Sequence, residues 1–66
     1  MIQIKKVADE LSARLSNEGV RHKIIIRINF SLDVYIESDE LTEQDVDEMF
    51  SKEFGQYSIS YEVQRR

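Results

Sequence analysis

Apolar and polar positions along the chain change period three times, and the pattern predicts five elements. Ile4, Val7, Ala8, Leu11 and Leu15 recur at three- and four-residue intervals, which places them on one face of a helix. Glu10 stands four residues before Arg14, an orientation that supports a helix by a few tenths of a kcal/mol. Gly19 follows as the expected helix stop, because glycine accepts a left-handed backbone. The run "VRHKIIIRINF" then alternates. Val20, His22, Ile24, Ile26, Ile28 and Phe30 would share one side of a strand, and Arg21, Lys23, Ile25, Arg27 and Asn29 the other. "SLDVYIE" alternates again, with Leu32, Val34 and Ile36 inward and Asp33, Tyr35 and Glu37 outward. These two runs predict a hairpin turning near Asn29–Ser31, with Lys23 and Arg27 on its outer face near Asp33 and Glu37. Opposite charges across strands contribute about 0.2–1 kcal/mol each.

A second helix starts at Thr42. Thr42 with Asp45 three residues on is a capping-box pattern, and Leu41 with Val46 is a hydrophobic staple. Val46, Met49 and Phe50 form its expected buried face, and Gly55 its end. The last run sets Tyr57, Ile59, Tyr61 and Val63 against Ser58, Ser60, Glu62 and Gln64, a third strand. The order α-β-β-α-β predicts one α+β domain over residues 1–66: a two-layer fold with a three-stranded antiparallel sheet and both helices on one face. The uncovered sheet face would carry Ile25 and Tyr35, the candidate interface of a homodimer.

Composition narrows what such a domain does. A core in a chain of this size supplies roughly 3–5 kcal/mol, and disulfides or metals often add to it. With no cysteine and one histidine, neither a disulfide nor a structural zinc site is expected, which favours a partner subunit. The stretch "MIQIKKVADELSARL" has no apolar block or cleavage site of a signal peptide, and no run is long enough to span a bilayer. A cytoplasmic protein is expected.

No catalytic signature is present. His22 stands alone near the start of the first strand and reads as structural. The serines lack a nucleophile-elbow glycine pattern, and two glycines cannot build a phosphate-cradling loop. The missing GXXG loop counts against a KH-type nucleic-acid module. "DELTEQDVDE" offers oxygen ligands, but it lacks the glycine and spacing of an EF-hand loop. No catalytic residue, cofactor or metal is therefore assigned.

Charge is the informative feature. Residues 33–53 hold nine acidic side chains against Lys52 alone, while residues 1–32 hold six basic and three acidic ones. The helix dipole accounts for Glu43 and Asp45, a Glu48–Lys52 pair at i+4 for Glu48, and the hairpin for Asp33 and Glu37. Asp39, Glu40, Asp47 and Glu53 have no local reason to be acidic. A helix rises 1.5 Å per residue, so carboxylates three and four apart form a rigid row of negative charge, as the DNA backbone does.

A short, acidic, cysteine-free α/β chain bearing "ESDELTEQDVDE" resembles the DNA-mimic proteins with which bacteriophages disable host DNA-binding proteins, among them inhibitors of the histone-like protein HU. The resemblance implies a non-enzymatic inhibitor, dimeric, in the cytoplasm of a bacterial host. It would not bind nucleic acid or membranes itself. The acidic surface at Glu37, Asp39, Glu40, Glu43, Asp47 and Glu48 would occupy a basic partner and exclude DNA. The alternative is a small homodimeric interaction domain whose acids serve solubility only.

Overall fold

A computed structural model describes residues 4–65. The chain folds as α1 (Ile4–Asn17), β1 (Arg21–Ile26), β2 (Leu32–Glu37), α2 (Glu43–Phe54) and β3 (Ile59–Gln64). Each predicted element is present and in the predicted order, and the class is α+β. The α1 terminus is a Schellman turn: Val20 N–H donates to the Leu15 carbonyl at 2.9 Å and Gly19 N–H to the Ser16 carbonyl at 3.0 Å. Gly19 adopts φ 71°, as that turn requires. At α2, Thr42 Oγ1 accepts from Asp45 N–H at 3.2 Å while Asp45 Oδ2 accepts from Thr42 N–H at 3.0 Å, so the capping box forms.

The sheet order is β1-β2-β3, with β2 central. β1 and β2 pair antiparallel, with Arg21 opposite Glu37 and Ile26 opposite Leu32. β3 departs from the expected all-antiparallel sheet: it runs parallel to β2, with Leu32 opposite Ile59 and Glu37 opposite Gln64. The reason is topological. A tight hairpin reverses direction, but α2 lies between β2 and β3 and carries the chain back to the end where β2 began. Two bonds outside the strands close the ladder, Leu32 N–H to the Ser58 carbonyl and Ser38 N–H to the Gln64 carbonyl, both 2.9 Å.

Both helices cover the same sheet face. Ile4, Val7, Ala8, Leu11 and Leu15 of α1 join Val46, Phe50 and Phe54 of α2 over Leu32, Val34 and Ile36, all buried in one cluster. Val20, Ile24, Ile59, Tyr61 and Val63 pack around it half-buried. Phe50 stacks on Tyr61 with centroids 6.0 Å apart and planes 18° apart. Burial, with the Asp47 carboxylate adding to it, pushes the Tyr61 hydroxyl up to about 12.

Expectations about side chains fail at the hairpin tip, at Met49 and at the Glu48–Lys52 pair. β1 ends at Ile26, because Arg27 N–H turns to the Ser31 carbonyl (2.9 Å) and Phe30 N–H to the Arg27 carbonyl (3.0 Å). Ile28 and Phe30 therefore never reach the core: they are 99% and 72% exposed on the hairpin tip. Met49 is exposed, since Val46, Phe50 and Phe54 already complete the buried stripe of α2. Among the described residues no ion pair joins Glu48 to Lys52. Glu48 instead accepts a long bond from Gln44 Nε2 at 3.5 Å.

Candidate functional site

The strand register gives the molecule two ends, and the side chains at those ends differ in kind. One end carries Arg21, Glu37 and Gln64 and the other Ile26, Leu32 and Ile59. At the first, the α1–β1 turn meets the β2–α2 loop. Glu18, Glu37, Asp39 and Glu40 there rim a cleft of about 430 Å³ whose apolar lining is Val20, Leu41 and Met49. The loop is held in shape by Ser38, whose Oγ accepts the N–H groups of Glu40 and Leu41, both at 3.1 Å. Arg21 Nε approaches Glu37 at 3.8 Å, a weak pairing between two exposed side chains.

Of the six acids expected to bind a partner, Glu37, Asp39 and Glu40 share this cleft. Glu43 lies apart, lining a shallow groove with Asp33, Tyr35, Tyr61 and Glu62. Asp47 stands near Tyr61, and Glu48 is exposed on α2. The structure thus divides the six acids and forms no single straight row: Glu37, Asp39 and Glu40 share the cleft, and Glu43, Asp47 and Glu48 lie outside it. Glu18 was missed because it lies nineteen positions before Glu37 in sequence; only the return of β2 beside β1 brings them together. Its one signal was position. An acid just past the end of α1 opposes the helix dipole, at a cost of about 0.3–1 kcal/mol.

Glu53, which has no local reason for its charge, has a tertiary one. Arg14 of α1 donates to both its carboxylate oxygens, Nη1 to Oε1 at 2.7 Å and Nη2 to Oε2. The guanidinium also sits 5.4 Å from the Phe54 ring centroid. Hydrogen bonding to Arg14 lowers the Glu53 carboxyl and raises the Arg14 guanidinium from their ordinary values. Glu53 is thus a tie between the two helices.

Ile25 and Tyr35 lie on the open sheet face, as expected, with Ile25 39% exposed. Their neighbours are Arg21, Lys23, Glu37 and Gln64, which line a cleft of about 420 Å³ with them. Lys23 stands opposite Tyr35, which in turn stands opposite Glu62. Arg27 Nε donates to Asp33 Oδ2 across the hairpin. Glu37 faces Arg21, however, and not Lys23.

His22 has a definite bonding pattern. Its Nδ1 lies 2.9 Å from the Val20 carbonyl, which can only accept, so Nδ1 carries the proton. Nε2 then accepts from the Ser12 hydroxyl at 2.7 Å. This joins α1 to β1. Ser12 stands inside α1, where the neighbouring backbone N–H groups are committed to helix bonds and cannot receive an oxyanion. Among the described residues no cluster of His, Cys, Asp or Glu has the geometry to hold a metal ion. No helix among them is long and apolar enough to cross a membrane.

Compared with known proteins, the chain matches no family model, no curated protein and no solved structure.

Proposed function

We propose that this protein is a non-enzymatic inhibitor that acts in the cytoplasm of a bacterial host. It presents its acidic end to the basic surface of a DNA-binding protein and competes there with DNA. The observation that carries this reading is the convergence of Glu18, Glu37, Asp39 and Glu40 on one cleft; Glu43 and Asp47 add further negative charge on α2. Carboxylates so close repel one another. Their gathering from two separate connections, the α1–β1 turn and the end of β2 with the loop that follows it, is a cost that a cationic partner would relieve. The apolar lining of Leu41 and Met49 would add contact area under that charge. The histone-like protein HU, a DNA-binding protein with a basic grip, is the specific partner tested first.

The experiment is a competition. Purified HU is bound to labelled duplex DNA at low salt and the protein is titrated in. Release of DNA is expected, weakening as salt rises because attraction between exposed charges is screened. The triple variant Glu40→Lys, Glu43→Lys, Asp47→Lys should release none while keeping its circular dichroism. Equal release by wild type and triple variant would sink the proposal.

A second reading has one observation behind it. On the open face Lys23, Tyr35 and Glu62 lie in one row across the sheet. A twofold axis along β2 would set each Lys23 over the Glu62 of a second copy, with Tyr35 at the centre. That homodimer predicts a halved mass for Ile25→Glu or Tyr35→Glu in light scattering.

A further inference from the structure

β1 and β3 are the two edges of the sheet, and each turns a row of backbone groups outward. Arg27 N–H donates to the Ser31 carbonyl across the hairpin. In β1 the odd-numbered residues therefore bond to β2, and His22, Ile24 and Ile26 point their N–H and C=O groups away from it. Leu32 N–H donates to the Ser58 carbonyl and Ser38 N–H to the Gln64 carbonyl. In β3 the even-numbered residues therefore face β2, and Ile59, Tyr61 and Val63 point outward. No described backbone group bonds to either outward row. Such rows are templates for a further strand.

The two edges differ in charge. β1 carries Arg21 and Lys23 and no acid, whereas β3 carries Glu62 and no base. Arg21 is held weakly within the molecule by Glu37, at 3.8 Å. Among the described residues neither Lys23 nor Glu62 joins an ion pair; Glu62 accepts a long bond from Gln64 Nε2 at 3.4 Å. Both strands are 6 residues long, and laid antiparallel they pair in full in one register. His22 opposite Val63, Ile24 opposite Tyr61 and Ile26 opposite Ile59 would join the outward groups. The same register sets Lys23 opposite Glu62, a favourable cross-strand pair, and Arg21 opposite Gln64. On the helix side it brings apolar residues together, among them Ile26, which is 44% exposed. A groove of about 310 Å³ between α1 and β1 leaves that flank of Ile24 and Ile26 open, and its rim mixes Lys5 and Lys23 with Asp9.

We infer that β1 of one copy pairs antiparallel with β3 of the next, so that copies join edge to edge in one continuous sheet. Pairing β1 with β1 would set Lys23 beside its own counterpart, and pairing β3 with β3 would do the same to Glu62. Within one copy β1 also runs antiparallel to β3, so joined copies point the same way. Residues that meet across the seam lie on the helix side in both strands, so all helices stay on one face. Two helices need about 16–20 Å of width, while three strands supply about 14 Å. Joined copies therefore bend with their helices on the convex side, the curvature that closes a ring. The clefts of Glu18, Glu37, Asp39 and Glu40 would follow one another along one rim, roughly 14 Å apart. The pairing does not depend on the partner proposed for those clefts.

Low-salt sedimentation over a concentration series tests this. Wild type is expected to gain mass past two copies. Ile26→Pro removes one outward N–H and no donor of the β1–β2 ladder, and proline is tolerated on an edge strand in that position. It should stay a single copy, as should Lys23→Glu and Glu62→Lys. Lys23→Glu and Glu62→Lys combined in one chain should assemble again. An equimolar mixture of Ile26→Pro and Glu62→Lys should stop at twice the monomer mass, because the first keeps a sound β3 edge and the second a sound β1 edge. Circular dichroism checks that each variant is folded; if Ile26→Pro is not, Lys23→Glu and the charge-exchanged chain decide. A monomeric wild type, a charge-exchanged chain that stays monomeric, or a dimer unchanged by a folded Ile26→Pro would each overturn the inference, the last being the outcome for two copies packed by their open faces. Ile26→Pro leaves every acid in place and should still release DNA from HU, so failure here and failure of the inhibitor reading are told apart.

Discussion

Gly19 and Phe30 hold almost the same backbone angle, φ 71° and 64°, at opposite ends of β1. At Gly19 the residue suits the backbone. It closes the Schellman turn of α1, and the chain continues at once into the sheet. At Phe30 the residue opposes the backbone, and the ring is left in solvent. A left-handed residue with a side chain costs roughly 1–2 kcal/mol. At one end the sequence avoids that cost, and at the other it accepts it. Strain that serves no packing is characteristic of surfaces that meet something else. The acidic end is crowded with like charge but locally relaxed, whereas the tip is apolar and locally strained.

Both ends depend on one core, so the comparison has meaning only while that core is intact. Phe50 is the strongest lever on it, since its ring meets Phe54 at 6.1 Å and Tyr61 at 6.0 Å. Phe50→Ala should cost about 3–5 kcal/mol. That equals the roughly 3–5 kcal/mol which a core in a chain of this length supplies. Urea titration followed by circular dichroism should find the variant largely unfolded without denaturant, with both surfaces lost together. A cooperative transition near that of wild type would mean that the ends are supported separately.

A smaller change separates them. Gly19→Ala meets no atom within 4 Å of the added methyl, so its whole effect is the cost of the left-handed backbone. A loss of about 1–2 kcal/mol is expected. The urea midpoint should fall with its slope unchanged, and the amides of residue 19 and of Val20 should exchange faster while that of Phe30 keeps its protection. Equal loss of protection at Phe30 would show that the turns are coupled and that the ends cannot be compared as independent features.

The pattern of the sequence carried the elements and the capping of α2 because these depend on residues three or four apart. Leu41, Thr42, Asp45 and Val46 are a local device and formed as such. The direction of β3 was not legible: period-two alternation at Tyr57–Val63 is the same in parallel and antiparallel strands. Nor was the end of β1, because the alternation of apolar residues runs on through Ile28 and Phe30 after the hydrogen bonds have turned. Of the candidate site, Glu37, Asp39 and Glu40 could be read from their crowding. Glu18 could not, because its place depends on the return of β2, nor could the reason for the charge of Glu53, because its partner Arg14 stands on another helix.

The smallest expected effect is the most discriminating. Phe30→Gly relieves a left-handed phenylalanine, worth roughly 1–2 kcal/mol. The greater freedom of glycine in the unfolded chain returns about 0.5–1 kcal/mol of that. No packing is lost, since the ring is largely in solvent. The net expectation is a gain of about 0–1.5 kcal/mol, seen as a higher urea midpoint at unchanged slope. An exposed aromatic whose removal stabilises the fold is kept for something other than the fold. If Phe30→Gly instead destabilises the protein, the ring supports the hairpin. The contrast with Gly19 then becomes one of two structural turns, and the tip loses its claim to be a surface made for contact.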